Sequence, residues 1–239
     1  MDKVKTFIYD NDIRIKKVFL EKSLSDIFSV QNFSENSKEL FIKSAMFSVA
    51  LSDDIKDDEG MIYVSTKDPK SHSAVTALCE TDGRLRGCED EFIPSSFEET
   101  VITVGRRLEV RGEYQSSVLG DDFEKAVEEF FSSSRQTKAK TYYCDEFFIM
   151  AEFFPGHDVN FQDDLKKPSD GEIFEKIDKA IDLAKEEKDL KFLSEKEISF
   201  GCTCNEEKIK EALTGEEGLS FPLDVRCHFC GKTYVIDNI

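Results

Sequence analysis

The chain has 239 residues, 39% hydrophobic and 34% charged, and its 32 basic side chains against 50 acidic ones leave a net charge of −18. That is enough apolar material for one substantial core and a small appendage, with 21 Phe and no Trp to supply the core's volume. The acidic balance argues against nucleic acid and anionic membrane surfaces as partners, since both demand a positive patch and the Lys and Arg residues here are interleaved with acids.

In chain order, residues 3–9 (KVKTFIY) and 13–19 (IRIKKVF) alternate around the turn-prone Asp10-Asn11-Asp12 and predict a hairpin. Leu40, Phe41, Ala45, Met46, Val49 and Ala50 recur at three- and four-residue spacing, which predicts a helix over 37–51 with one apolar face. A strand is expected at 61–66, and segments 73–79 and 84–88 flank the hairpin-closing Thr81-Asp82-Gly83. Residues 101–119 are β-prone around Arg111-Gly112. After Gly120, Phe123, Val127, Phe130 and Phe131 line one helical face behind Asp121 and Asp122, acids well placed for a first turn. Residues 141–154 (TYYCDEFFIMAEFF) read as one apolar strand that Pro155-Gly156 ends. Hairpins and helices mix without a βαβ rhythm, so the expected class is α+β: a core of antiparallel sheet with packed helices over 1–156.

From about residue 157 the composition turns strongly charged. Ser169 and Glu172 after Pro168 form a capping-box pattern, and Ile173, Ile177, Ala180, Ile181 and Ala184 mark a slim apolar stripe. Packing supplies most helical stability, so residues 157–200 are expected to be a metastable helical linker. Residues 201–239 form the last unit.

No run of roughly 18–20 apolar residues exists for a membrane span, and the N-terminal MDKVKTFIYDNDIRIKK lacks the apolar stretch of a secretory signal. The expected location is the cytoplasm, where paired cysteines signal metal or redox chemistry sooner than structural disulfides. The tail carries two such pairs, Cys202-x-Cys204 and Cys227-x-x-Cys230, separated by residues 205–226. A tetrahedral Zn²⁺ needs four donors, and each short-spaced pair can present two sulfurs to one side of the ion. One zinc per chain, in the reduced state, is therefore expected on Cys202, Cys204, Cys227 and Cys230. Gly231 suits the tight turn after the last ligand. His228, lying between two ligands, is expected to be an exposed neighbour. A unit of about 40 residues is near the limit for folding without a staple, so losing the metal should unfold it, and zinc thiolates are also what oxidants attack.

Cys79, Cys88 and Cys144 read as core or half-buried residues. His72 and His157 stand apart from any catalytic constellation, and no GxxxxGK[ST] loop supports nucleotide use.

FGCTCNEEKIKEAL and VRCHFCGKTYVI together resemble the tail of the heat shock protein 33 family, and DGRLRG, EYQSSVLGDDFEKAVEEFFSSSRQTKA and FFPG follow the order of that family's core landmarks. The resemblance implies an ATP-independent, redox-regulated holdase chaperone and not an enzyme. It also implies that on oxidation Cys202 pairs with Cys204 and Cys227 with Cys230, that zinc leaves, and that tail and linker unfold. Unfolding client proteins are then bound, and a homodimer forms. The 205–226 interval is shorter than the family's usual one, and the 141–154 strand is bulkier. Two other readings stay open: a thiol oxidoreductase working through Cys227-His228-Phe229-Cys230, and a constitutive chaperone or interaction protein with purely structural zinc.

Overall fold

The computed structural model describes residues 1–9, 11–55, 60–94, 98–108, 112–143, 147–155, 190–216 and 218–239. Alternation at the N-terminus builds the expected hairpin: β1 (Lys3–Tyr9) pairs antiparallel with β2 (Ile13–Phe19), and Asn11 takes the positive φ that the turn requires. The run expected as a single strand at 141–154 is instead two, β8 (Lys138–Tyr143) and β9 (Phe147–Phe153), paired antiparallel with Tyr143 opposite Phe148. In the sequence, the acids Asp145 and Glu146 break the apolar run between the two strands. β9 lies beside β2. The outer edge of β1 is covered by β10 (Leu190–Glu197), giving a five-stranded sheet in the order β10-β1-β2-β9-β8.

The second sheet holds β3 (Gly60–Asp68), β4 (Ser73–Glu80), β5 (Arg84–Glu89), β6 (Thr100–Leu108), β7 (Gly112–Gly120) and the two-residue β11 (Ser199–Phe200). Their order is β11-β5-β4-β3-β6-β7, antiparallel except where β11 runs parallel to β5. The architecture is α+β, with four α-helices among the described residues. Residues 156–189, which include the expected linker helix and its capping box, lie outside the described residues. Residues 190–200 correct the expectation of a helical linker running to 200, because they are sheet on the edges of the core.

α1 (Lys22–Val30) begins without a capping side chain of its own; the Asp2 carboxylate accepts from the backbone N–H groups of Glu21, Lys22 and Ser23 at 3.1, 3.1 and 2.5 Å. α2 (Glu35–Ser52) starts at the Ser34 N-cap, whose hydroxyl accepts from Ser37 N. It packs on β3, β4 and β5 of one sheet and on β2 and β9 of the other. This corrects the expectation of one buried face: a helix between two sheets is buried nearly all round. Its serines meet the demand for buried hydrogen bonds locally, with Ser44 Oγ donating to Leu40 O at 2.8 Å and Ser48 Oγ to Ala45 O at 2.8 Å. Gly87 on β5 makes the approach possible, since a Cβ there would lie 2.2 Å from the Phe41 ring.

Phe41, Phe47, Phe131 and Phe148 are fully buried, each stabilising by roughly 1.5–3 kcal/mol on transfer from water. α3 (Phe123–Phe130) starts where predicted, with Asp122 Oδ1 accepting from Lys125 N at 2.8 Å, and continues into a π-turn over Phe131–Arg135. That turn aims Arg135 at a buried charge cluster. Lys16 is completely buried, donates to Ala50 O at 2.6 Å and pairs with Asp54, which Arg135 and Arg14 reach at 2.8 and 3.2 Å. Among the described residues no helix is long and apolar enough to cross a membrane.

Candidate metal centre

The two cysteine pairs arrive on different elements. β11 hydrogen-bonds along β5, and Gly201 N donates to Leu85 O at 3.1 Å, so Cys202 leaves directly from the edge of the core. Cys204 is followed at once by α4 (Glu206–Leu213), whose N-cap Asn205 accepts from Lys208 N at 2.8 Å. Cys227 and Cys230 sit in the turn between β12 (Leu223–Arg226) and β13 (Thr233–Ile236). Two backbone bonds close that turn, Cys227 N to Lys232 O at 2.8 Å and Gly231 N to Cys227 O at 2.9 Å. Gly231 holds φ at 70°, a value that a side chain would strain.

All four sulfurs lie within 4.8 Å of one another. The short approaches cross between the pairs: Cys202 Sγ to Cys227 Sγ is 3.7 Å, and Cys204 Sγ to Cys230 Sγ is 3.4 Å. Around a tetrahedral zinc with Zn–S bonds of about 2.3 Å, neighbouring sulfurs stand about 3.8 Å apart. The donor set therefore fits a metal ion in both chemistry and spacing, and these four cysteines could hold one. The four residues that the sequence pattern singles out are brought together.

The electrostatics of the bare thiols point the same way. Burial alone would raise the Cys204 thiol, but hydrogen bonds from the Tyr234 hydroxyl and from Cys230, Cys202 and Cys227 outweigh it and bring it down to about 7. Burial pushes the Cys202 and Cys230 thiols up, and their bonds to neighbouring sulfurs add to the rise. One thiolate forms readily and makes the next harder to form, a conflict that a divalent cation removes.

Tyr234 escaped the sequence reading. Its hydroxyl donates to the Cys204 carbonyl at 2.9 Å and stands 3.2 Å from Cys204 Sγ, so the second hairpin strand braces the first cysteine pair. The contact with the Cys204 sulfur pushes the Tyr234 phenol up to about 12. Its place on a tail strand beyond Cys230 carries no motif that names it; only the pairing of β12 with β13 brings it across. His228 lies outside the four-sulfur cluster and faces Asp90 of the core, with Nε2 at 3.6 Å from Oδ1. Cys79 is buried in the core beside Ser52, whose hydroxyl donates to its sulfur at 3.1 Å. Cys88 is likewise buried, and Cys144 and His157 lie outside the described residues. His72 sits at positive φ in the β3–β4 turn, its ring against Phe92.

No curated protein matches the chain. Among solved structures, the 33 kDa chaperonin (heat shock protein 33 homolog) from Thermotoga maritima is similar, with a TM-score of 0.68 at 15% identity over 99% of this chain and 94% of that one. At that identity the likeness is one of fold. The family model described as Hsp33 protein matches residues 2–237, and the chain therefore belongs to the Hsp33 family.

Proposed function

We propose that this chain is an ATP-independent holdase chaperone of the cytoplasm, switched on by oxidation of a zinc centre formed by Cys202, Cys204, Cys227 and Cys230. The observation that carries this reading is a contrast inside residues 201–239: four sulfurs converge within 4.8 Å, while Ile236 is the one buried residue described there. A unit with so little core depends on its metal, because bound structural zinc supplies roughly 10–16 kcal/mol of apparent folding energy in small domains. When bound, the ion ties the CxC segment to the β12–β13 turn.

Oxidation by peroxide joins two thiolates of the centre as a disulfide; two electrons pass to the peroxide, which takes up two protons from solvent and leaves as two waters. In this reading the bonds formed are Cys202–Cys204 and Cys227–Cys230, which leaves no thiolate to retain zinc. Loss of the centre releases residues 201–239 as the switch unit and loosens the strongly charged segment before it. The core, residues 1–156 with the strands of 190–200, then binds unfolding clients, and the oxidised form dimerises. The Hsp33 family membership supports the chaperone reading.

The test is light scattering of a chemically unfolded client diluted into this protein, either reduced and zinc-loaded or oxidised with peroxide at mild heat. Suppression of aggregation by the oxidised form alone is the expected result. Equal suppression by both forms would make the zinc purely structural and remove the switch. Suppression by neither would remove the chaperone reading and direct attention to thiol–disulfide exchange.

A further inference from the structure

A second group of metal-type donors stands apart from the four sulfurs. Cys88 on β5, Asp90 just beyond it and His228 in the tail bring a thiol, a carboxylate oxygen and an imidazole nitrogen within 4.8 Å of one another. Cys88 Sγ and His228 Nε2 each lie 3.6 Å from the same oxygen, Asp90 Oδ1. Donors of these types around a tetrahedral zinc, with bonds of about 2.3 Å to sulfur and about 2.0 Å to nitrogen or oxygen, stand about 3.3–3.6 Å apart. The two spacings to Asp90 Oδ1 are thus close to those of a coordination shell, and Cys88 Sγ and His228 Nε2 lie within 4.8 Å of each other.

The surroundings hold the donors in place. Thr76 Oγ1 donates to Asp90 Oδ2 at 2.6 Å, which fixes the carboxylate and leaves Oδ1 facing the other two donors. Asp90 N donates to Ala74 O at 2.8 Å. On the tail side, Gln31 Nε2 donates to the His228 carbonyl at 2.5 Å, and the Phe229 ring lies against the Arg86 guanidinium, 5.6 Å from centre to centroid. The Cys88 side is sealed in the core, whereas the His228 side chain is 65% exposed, so the fourth position opens to water. Burial, together with the adjacent Asp90 carboxylate, pushes the Cys88 thiol up and opposes a bare thiolate there; a cation between the two would remove that opposition. A thiolate with one nitrogen and one oxygen donor selects a zinc-type ion over calcium or magnesium, which take oxygen ligands.

We propose that Cys88, Asp90 and His228 form a second, weaker zinc site, completed by water, which joins the tail to the core. Binding would release the Cys88 thiol proton to solvent and leave the ion held by two core residues and one tail residue. The site is present only while the tail is folded, so the proposal rests on the four-cysteine reading above. It gives that reading a physical link: His228 lies between Cys227 and Cys230, and disruption of the first centre would withdraw the tail ligand from the second.

The test is equilibrium dialysis of the reduced, full-length chain, freed of metal by chelation, against buffered zinc. Two equivalents are expected for the unaltered chain, the second weaker than the first. Asp90→Asn and His228→Gln should each bind one, and both should keep the cobalt-substituted thiolate absorption of the four-cysteine centre. Thr76→Val should weaken the second equivalent alone by about 10–100-fold. Retention of two equivalents in both Asp90→Asn and His228→Gln overturns the proposal. So does a single equivalent in the unaltered chain that Cys227→Ser abolishes, and that result leaves the four-cysteine reading standing. No bound zinc at all removes both.

Discussion

The core and the tail of this chain are stabilised by different physics. The core closes two sheets over a helix buried on nearly every side, with whole Phe side chains removed from water. In the tail, α4 has no buried residue and the β12–β13 ribbon has only four residue pairs; a two-stranded ribbon of that size is marginal in water. What the tail has instead is four converging sulfurs. Stability in the first region is spread over many contacts, whereas in the second, under the proposed metal reading, it would rest on one centre and be lost with it.

That contrast breaks most visibly at the metal. Chelation, or Cys227→Ser, should unfold residues 201–239 while the core sheets persist, a loss drawn from the roughly 10–16 kcal/mol that structural zinc supplies. Hydrogen exchange by mass spectrometry checks it: amides of α4 and β13 should lose protection while those of β3 and β4 keep theirs. A stable, fully loaded Cys227→Ser protein would contradict the four-ligand arrangement.

Within the core, the sharpest single change is at the buried charges. Asp54→Ala would strip Lys16 of its partner and leave an uncompensated ammonium with no exposure, at a cost of about 3–5 kcal/mol, read from the midpoint of urea unfolding. The same carboxyl gives a pH signature. Burial would raise it, but Lys16 and then Arg135 dominate and hold it below its ordinary 3.8. Its stabilisation is therefore complete above about pH 4 and is lost as pH falls through the lower, folded-state value. Asp54→Asn should flatten that acid limb; an unchanged acid profile would show that the pair contributes nothing there.

A smaller effect is expected at the chain's start. Asp2→Ala removes the acceptor for three N–H groups at the start of α1, those of Glu21, Lys22 and Ser23, and should lower stability by about 1–2 kcal/mol. Asp2→Asn should recover part of it, as thermal unfolding would show.

Much of this was legible in local pattern. The first hairpin, the Asp-Gly turn before β5 and the start of α3 each carry their own signal within a few residues. So do the four thiols, whose spacing is itself the chemistry. The misses are places where the deciding partner is remote. α1 has its cap far upstream, at Asp2, so no capping pattern precedes it. β10 shows little inward–outward alternation, since Phe192 and Leu193 are both exposed beside a bulge; it is a strand because β1 offers it an edge. Tyr234 and Asp90 matter through hairpin pairing and docking that no spacing rule reaches.

The pairing of β1 has a consequence for the order in which the molecule is made. β1 sits between β2, which follows it at once, and β10, which begins at Leu190. Ile198 N then donates to Asp2 O at 2.9 Å, fastening the second residue of the chain to one near the far end of the core. During synthesis β2 follows β1 directly, whereas the other side of β1 has no partner until residues 190–197 have been made. Contacts of such long sequence separation form late and slow folding. The β1–β10 edge, whose partners lie far apart along the chain, is thus expected to be among the later pairings of the core to form.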